Sequence, residues 1–167
     1  MSEYMIPTEG AQPWAITEGL DAAMWFTEWA GNKIGRITME GEITEFTIPT
    51  PGAVPAGIAL GSDGAMWFTQ FGAHKIGRIR MEGVITEYAT PTADSGPRGI
   101  AAGPDGAMWF TQFNKHKIGG IKMDRTISKY NLPSTRVAPQ GVAEGPDRAI
   151  RFTKHAANRI NSIGTGK

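Results

Sequence analysis

The chain repeats itself every 42 residues. Pro13, Pro55, Pro97 and Pro139 step by that interval, and so do Pro7, Pro49, Pro91 and Pro133. No insertion or deletion breaks the register, and the 167 residues fall one short of four full periods. A strict period of this length describes one unit stacked on copies of itself, each burying a face that it cannot bury alone. The sequence therefore reads as a single module of four repeats: 1–42, 43–84, 85–126 and 127–167.

Each repeat holds four short stretches with strand character. The most regular is GAMWFTQF at 64–71 and 106–113, with AAMWFTEW at 22–29 and RAIRFTKH at 148–155 as its variants. It is followed by KIGRI at 33–37 and 75–79, KIGGI at 117–121 and RINSI at 159–163. Then come ITEFTIP at 43–49, ITEYATP at 85–91 and ISKYNLP at 127–133. A fourth stretch follows the repeated proline, around Ile16, Ile58, Ile100 and Val142. These runs are β-branched and aromatic. Asp63-Gly64 and Asp105-Gly106 mark one turn between them, Glu40-Gly41 and Glu82-Gly83 another. No apolar 3.6-residue period is long enough for a helix.

Four hairpin-linked strands in about 42 residues are the signature of a β-propeller blade. The rival, a β-solenoid, has shorter coils without that hairpin arrangement. The expected fold is all-β, a β-propeller with four four-stranded blades in the chain. Trp25, Trp67 and Trp109 then read as apolar plugs between blades, in preference to a ladder for stacking ligands.

Composition removes several functions. There is no cysteine, hence no disulfide scaffold, thiolate metal site or cysteine nucleophile. A net charge of +1 argues against nucleic acid as a partner. No apolar run approaches the roughly 18 residues of a membrane span, and no basic region leads into an apolar stretch at the start. No membrane partner is expected, and the location is cytoplasmic or undetermined. Zinc-helix, serine-elbow and phosphate-loop templates are missing.

The GAMWFT and KIGRI runs with ITEF-x-IPTP closely resemble the virginiamycin B lyase (streptogramin B lyase) family over essentially the whole chain. The resemblance implies seven-bladed propellers that open a cyclic depsipeptide antibiotic by elimination, with magnesium as cofactor. It also implies a histidine base directly after the repeated proline, a glutamate directly before it, and another near the end of the second strand. Here the residues after the proline are Trp14, Ala56, Arg98 and Gln140, and those before it are Gln12, Val54, Gly96 and Ala138. Only Glu28 sits near the place of the second glutamate. Elimination needs a base within reach of the proton, and magnesium needs converging oxygen ligands. Neither is visible, so the expectation is no catalytic residue, no metal site and no cofactor. Magnesium enters only if the alternative, a streptogramin lyase, holds.

His74 and His116 align with Asn32 and Asn158 in a turn, a structural position. Ligand candidates at the channel mouth are Trp14, Glu28, Trp29, Phe71, Arg98, Phe113, Gln140 and His155. They offer aromatic groups, a carboxylate and a guanidinium for a small amphipathic molecule or peptide. The plainer reading of Trp29, Phe71 and Phe113 is packing of the turn before the third strand.

Residues 2–6 match a fourth strand, and they precede the first copy of strands one to three. In this permuted register they complete a last blade and remove two open edges. Seven-bladed relatives turn about 51° per blade, so four blades closing alone need about 39° more each, and two chains forming eight blades about 6° less. The expected partner is a second copy, giving an eight-bladed homodimer. Repeat 1–42 carries a balance of −5 and repeat 127–167 one of +5, which suits a junction between them, although drift on a solvated surface produces such differences too. In the fourth repeat Arg151 replaces the tryptophan and Arg148 the turn glycine. The functional expectation is a non-catalytic, lyase-like module that self-assembles into a ring: a fragment, a short homologue or an engineered form.

Overall fold

The computed structural model describes residues 1–134 and 136–165. Its strands run β1 Pro13–Glu18, β2 Met24–Glu28, β3 Lys33–Ile37, β4 Ile43–Thr47, β5 Pro55–Leu60, β6 Met66–Gln70, β7 Lys75–Ile79 and β8 Ile85–Ala89. The second half repeats them: β9 Pro97–Ala102, β10 Met108–Gln112, β11 Lys117–Ile121, β12 Ile127–Asn131, β13 Pro139–Glu144, β14 Ala149–Lys154 and β15 Arg159–Gly164. Three sheets have four antiparallel strands in sequence order, and the sheet β13-β14-β15 has three. The only helical turns among the described residues are single 3-10 turns at Phe113–Lys115 and His155–Ala157.

The hairpin turns fall where the sequence places them. Gly64 and Gly106 sit at φ +79°, in the left-handed region that glycine enters without strain. Ala22 and Arg148 hold the same turn at φ 59° and 62°, so the first and last repeats carry strain that the middle two avoid. Each first strand opens on its proline with a bulge, at Pro13, Pro55, Pro97 and Pro139. Proline has no N–H to give a ladder, and the bulge spares the sheet that missing bond.

The blades pack face to face, and a separate core fills each junction. Trp25 and Ile34 of the first blade meet Ile58, Met66, Phe68 and Ile79 of the second. Trp67 and Ile76 meet Ile100, Met108, Phe110 and Ile121, and Trp109 and Ile118 meet Ile150 and Phe152. β6 and β10 are buried at every residue because neighbouring sheets cover both of their faces. Phe68 lies flat over β7 only because Gly77 has no side chain; a Cβ there would stand 2.2 Å from the ring.

The tryptophans are plugs, as the sequence suggests. Each indole N–H donates to the aspartate of its own hairpin, at 3.1 Å (Asp21), 3.0 Å (Asp63) and 3.1 Å (Asp105). Arg36 and Arg78 lie over the first two rings and pair with the same carboxylates. The last strand-two threonine then rivets one blade to the next. Thr27 donates to the Ala56 carbonyl, Thr69 to Arg98 and Thr111 to Gln140, each across 29 residues.

Four blades form an arc. Neighbouring inner strands β1, β5, β9 and β13 meet in order, whereas β1 and β13 stand at opposite ends. Residues 2–6 have no strand partner among the described residues, and β15 is the outer strand of the three-stranded sheet at the other end of the arc. No helix among the described residues is long and apolar enough to cross a membrane.

Candidate functional site

Trp14 and Arg98 directly follow the bulged prolines Pro13 and Pro97, and Trp29, Phe71 and Phe113 directly follow the second strands. There Trp14 meets Trp29 at a ring separation of 5.0 Å, Trp29 meets Phe71 at 5.6 Å, and Phe71 meets Phe113 edge-on at 6.2 Å. Arg98 joins the ends of this row, its guanidinium 5.5 Å from the Trp14 ring and 5.0 Å from Phe113. Five of the eight candidates thus form one aromatic rim holding a cation. Trp14 remains 56% exposed, leaving a face free. Such a rim suits a planar, electron-rich or anionic molecule. The aromatic side chains stack from blade to blade.

The other three candidates lie apart. Gln140 and His155 line a shallow cavity of about 510 Å³ on the fourth blade with Thr153, Lys154 and Ile160. Glu28 turns to the outer face of the first sheet, fully buried beside Lys33 and Glu45. Burial pushes its carboxyl up to about 7, Glu45 adds to that shift and Lys33 opposes it. Both of its oxygens lack a protein hydrogen-bond partner. Gln70, Gln112 and Lys154 hold the same buried place in the other blades. This burial escapes a sequence reading, because a strand in a half-exposed sheet would alternate.

A magnesium site does not fit these residues. Glu28 is inclined to hold its proton near neutrality, and an ammonium group stands beside it. No group of three or more His, Asp or Glu side chains suited to a metal occurs among the described residues. The histidines are turn residues. His74 and His116 sit at φ 57° and 54°, like Asn32 at 57°, and their Nδ1 atoms accept the N–H of Gly96 and Ala138. Asn32 makes the corresponding bond with its Oδ1 to Ala53.

The remaining feature is the pair of uncovered faces. On the first blade Tyr4, Ile6, Trp14, Ile16, Phe26 and Ile37 line an apolar groove of about 310 Å³. On the fourth, Ile160 is 72% exposed where Ile34, Ile76 and Ile118 are buried completely.

The model of the virginiamycin B lyase family matches residues 1–167. The chain belongs to the virginiamycin B lyase family. A catalytically inactive virginiamycin B lyase from Staphylococcus aureus, solved with quinupristin, superposes with a TM-score of 0.96 at 41% identity, covering 99% of this chain and 56% of that one. A streptogramin B lyase structure gives 0.91 at 37% identity, covering 99% and 59%. The virginiamycin B lyase of Bacillus licheniformis is 48% identical over 43 residues, 26% of this chain and 15% of that protein. The chain thus spans little more than half of the solved lyases. Its blades follow the virginiamycin B lyase fold closely, and the positions after the repeated proline carry Trp14, Ala56, Arg98 and Gln140.

Proposed function

We propose that this chain is a non-catalytic, lyase-like propeller module that assembles with a second copy of itself into a closed ring. The carrying observation is the place of residues 4–8. Tyr4 lies over Gly41 as Phe46 lies over Gly83, both 37 residues apart. The Thr8 N–H donates to Glu45 as the Thr50 N–H donates to Glu87, and Lys33 and Lys75 donate to the respective threonine hydroxyls. Residues 4–8 are therefore seated against the first blade as residues 46–50, the end of β4 and the turn after it, are seated against the second, and the sheet β13-β14-β15 has room for one more strand. Opposite charge at the two end repeats favours their meeting.

With the turn of about 51° per blade that the resemblance to seven-bladed lyases implies, an eight-bladed ring asks each junction to relax by only about 6°. Light scattering is expected to give twice the mass of one chain; the mass of one chain at all concentrations overturns the reading. Ring opening of a streptogramin B antibiotic, assayed with magnesium and with chelator, is expected to be undetectable. Turnover that disappears in Glu28→Gln would instead establish the lyase alternative.

A second reading rests on the rim. Trp14, Trp29, Phe71, Phe113 and Arg98 offer a binding floor for a small planar anion or an aromatic peptide side chain. Titration with a panel of aromatic carboxylates is expected to quench tryptophan fluorescence, and Arg98→Ala to weaken that binding about 10-fold. Equal quenching in the variant counts against the floor.

A further inference from the structure

The ring reading leaves open what holds the new junction, and the repeat specifies it residue by residue. In each of the first three blades the plug stacks on the aromatic residue 21 positions later. Trp25 and Phe46 lie 5.7 Å apart, Trp67 and Tyr88 5.9 Å, Trp109 and Tyr130 5.5 Å. The fourth plug is Arg151, against which no aromatic ring lies among the described residues. One full cycle of four periods brings the 21-residue step from it back to Tyr4.

Both partners already stand in the required places. Tyr4 is seated over Gly41, where a strand-four aromatic belongs. Arg151 occupies the volume of the missing indole. A Cβ on Gly145 would meet its guanidinium, just as one on Gly19, Gly61 or Gly103 would meet the tryptophan ring. The hairpin carboxylate that receives the indole N–H elsewhere, here Asp147, receives the guanidinium instead, at 2.6 and 2.8 Å. That bidentate grip holds the group flat, with the side chain still exposed.

The rivet follows the same arithmetic. Thr153 accepts the Gly141 N–H at 3.0 Å, as Thr69 accepts that of Gly57, and among the described residues its own proton meets no acceptor of the kind that Ala56, Arg98 and Gln140 offer the other three threonines. The 29-residue step leads to Trp14. On the same face Ile160 stands uncovered, opposite in the cycle to the groove lined by Ile16 and Phe26.

We propose that, in the ring assembled from two copies, Arg151 of each chain stacks on Tyr4 of the other, a cation–π pair that replaces the aromatic stack of the other blades. Thr153 donates to the Trp14 carbonyl of the same neighbour, and Ile160 enters its groove. This rests on the self-assembly reading and adds to it the contact that selects a second copy. A tryptophan at 151 would suit any propeller edge with an aromatic strand, whereas Arg151 requires the electron-rich ring of Tyr4 within an acidic first repeat.

Two variants isolate the pair: Tyr4→Leu, which keeps an apolar body over Gly41, and Arg151→Leu, at an exposed position. Mixed in equal amounts, they form a heterodimer with one junction that has both groups and one that has neither. Each homodimer has two half-broken junctions. Native mass spectrometry is expected to show the heterodimer above its statistical proportion, the ratio to the geometric mean of the homodimers rising about 3- to 10-fold. A statistical mixture, or no dimer in the mixture while the parent dimerises, overturns the pairing and leaves self-assembly standing. A parent chain that stays monomeric overturns both. Arg151→Trp restores the stack of the other blades and is expected to tighten the dimer at least about 3-fold; unchanged or weaker association argues that 151 does not face Tyr4.

Discussion

Replacing Trp67 with alanine is expected to destabilise the fold by about 4 kcal/mol, the largest single effect in the molecule. The indole is completely buried between the second and third blades, against Ile76, Ile100, Met108, Phe110 and Ile121. Phe or Trp to Ala in such a site costs about 3–5 kcal/mol through lost transfer energy and the cavity that remains. Asp63 also loses the indole N–H that it accepts at 3.0 Å, though Arg78 still holds its other oxygen at 2.7 Å. Neighbouring blades are stitched by Thr69 to the Arg98 carbonyl, so the junction sags and does not close over the gap. Urea denaturation measures this directly. A loss below about 1 kcal/mol would mean that the plug is not what joins the blades.

The second large effect depends on pH. In the unfolded chain Glu28 titrates near 4.5, and in the fold burial pushes it up to about 7. Between these values the folded chain holds a proton that the unfolded chain has released, so stability falls as pH rises through the window. The full difference converts to about 3 kcal/mol, and solvent around Lys33 and Glu45 screens it to about 2. Glu28→Gln removes this contribution, and Gln70 and Gln112 prove that an amide fits the position in this architecture. The variant is expected to match the parent at pH 4 and to exceed it by about 2 kcal/mol at pH 8. Parallel stability profiles for the two chains from pH 4 to 8 would sink the assignment.

The blade was legible because its cues are local. Asp63-Gly64 fixes a turn, MWFT alternates into two junctions at once, and Trp67 has no other use in a short strand. The asparagine and histidine pattern at 32, 74, 116 and 158 was legible for a similar reason, since all four sit at positive φ. What lies across blades was harder to see. Arg98 touches Trp14 and Phe113, which belong to the first and third repeats, and no spacing rule links those positions. The perturbed carboxyl of Glu28 depends on Glu45 and Lys33 packing beside it, and its residue type differs from Gln70 by a single atom group. Residues 2–6 carry the pattern of a strand, yet they pair with none among the described residues, and the sheet that is one strand short, β13-β14-β15, belongs to the last repeat.

If two chains join as proposed, the way residues 4–8 rest on the first blade also sets how fast they do so. A disordered tail would have to be caught and ordered during each encounter, and the rate would carry that entropy. Here Tyr4 is docked over Gly41 and Thr8 is clamped by Glu45 and Lys33 before any neighbour arrives. In the proposed ring, two prefolded edges meet as rigid bodies, drawn together by opposite charge, and the association rate is expected to fall as salt rises. Separation of such a proposed ring would strip a whole blade edge at both seams together, so its affinity is expected to be carried by a slow departure rate.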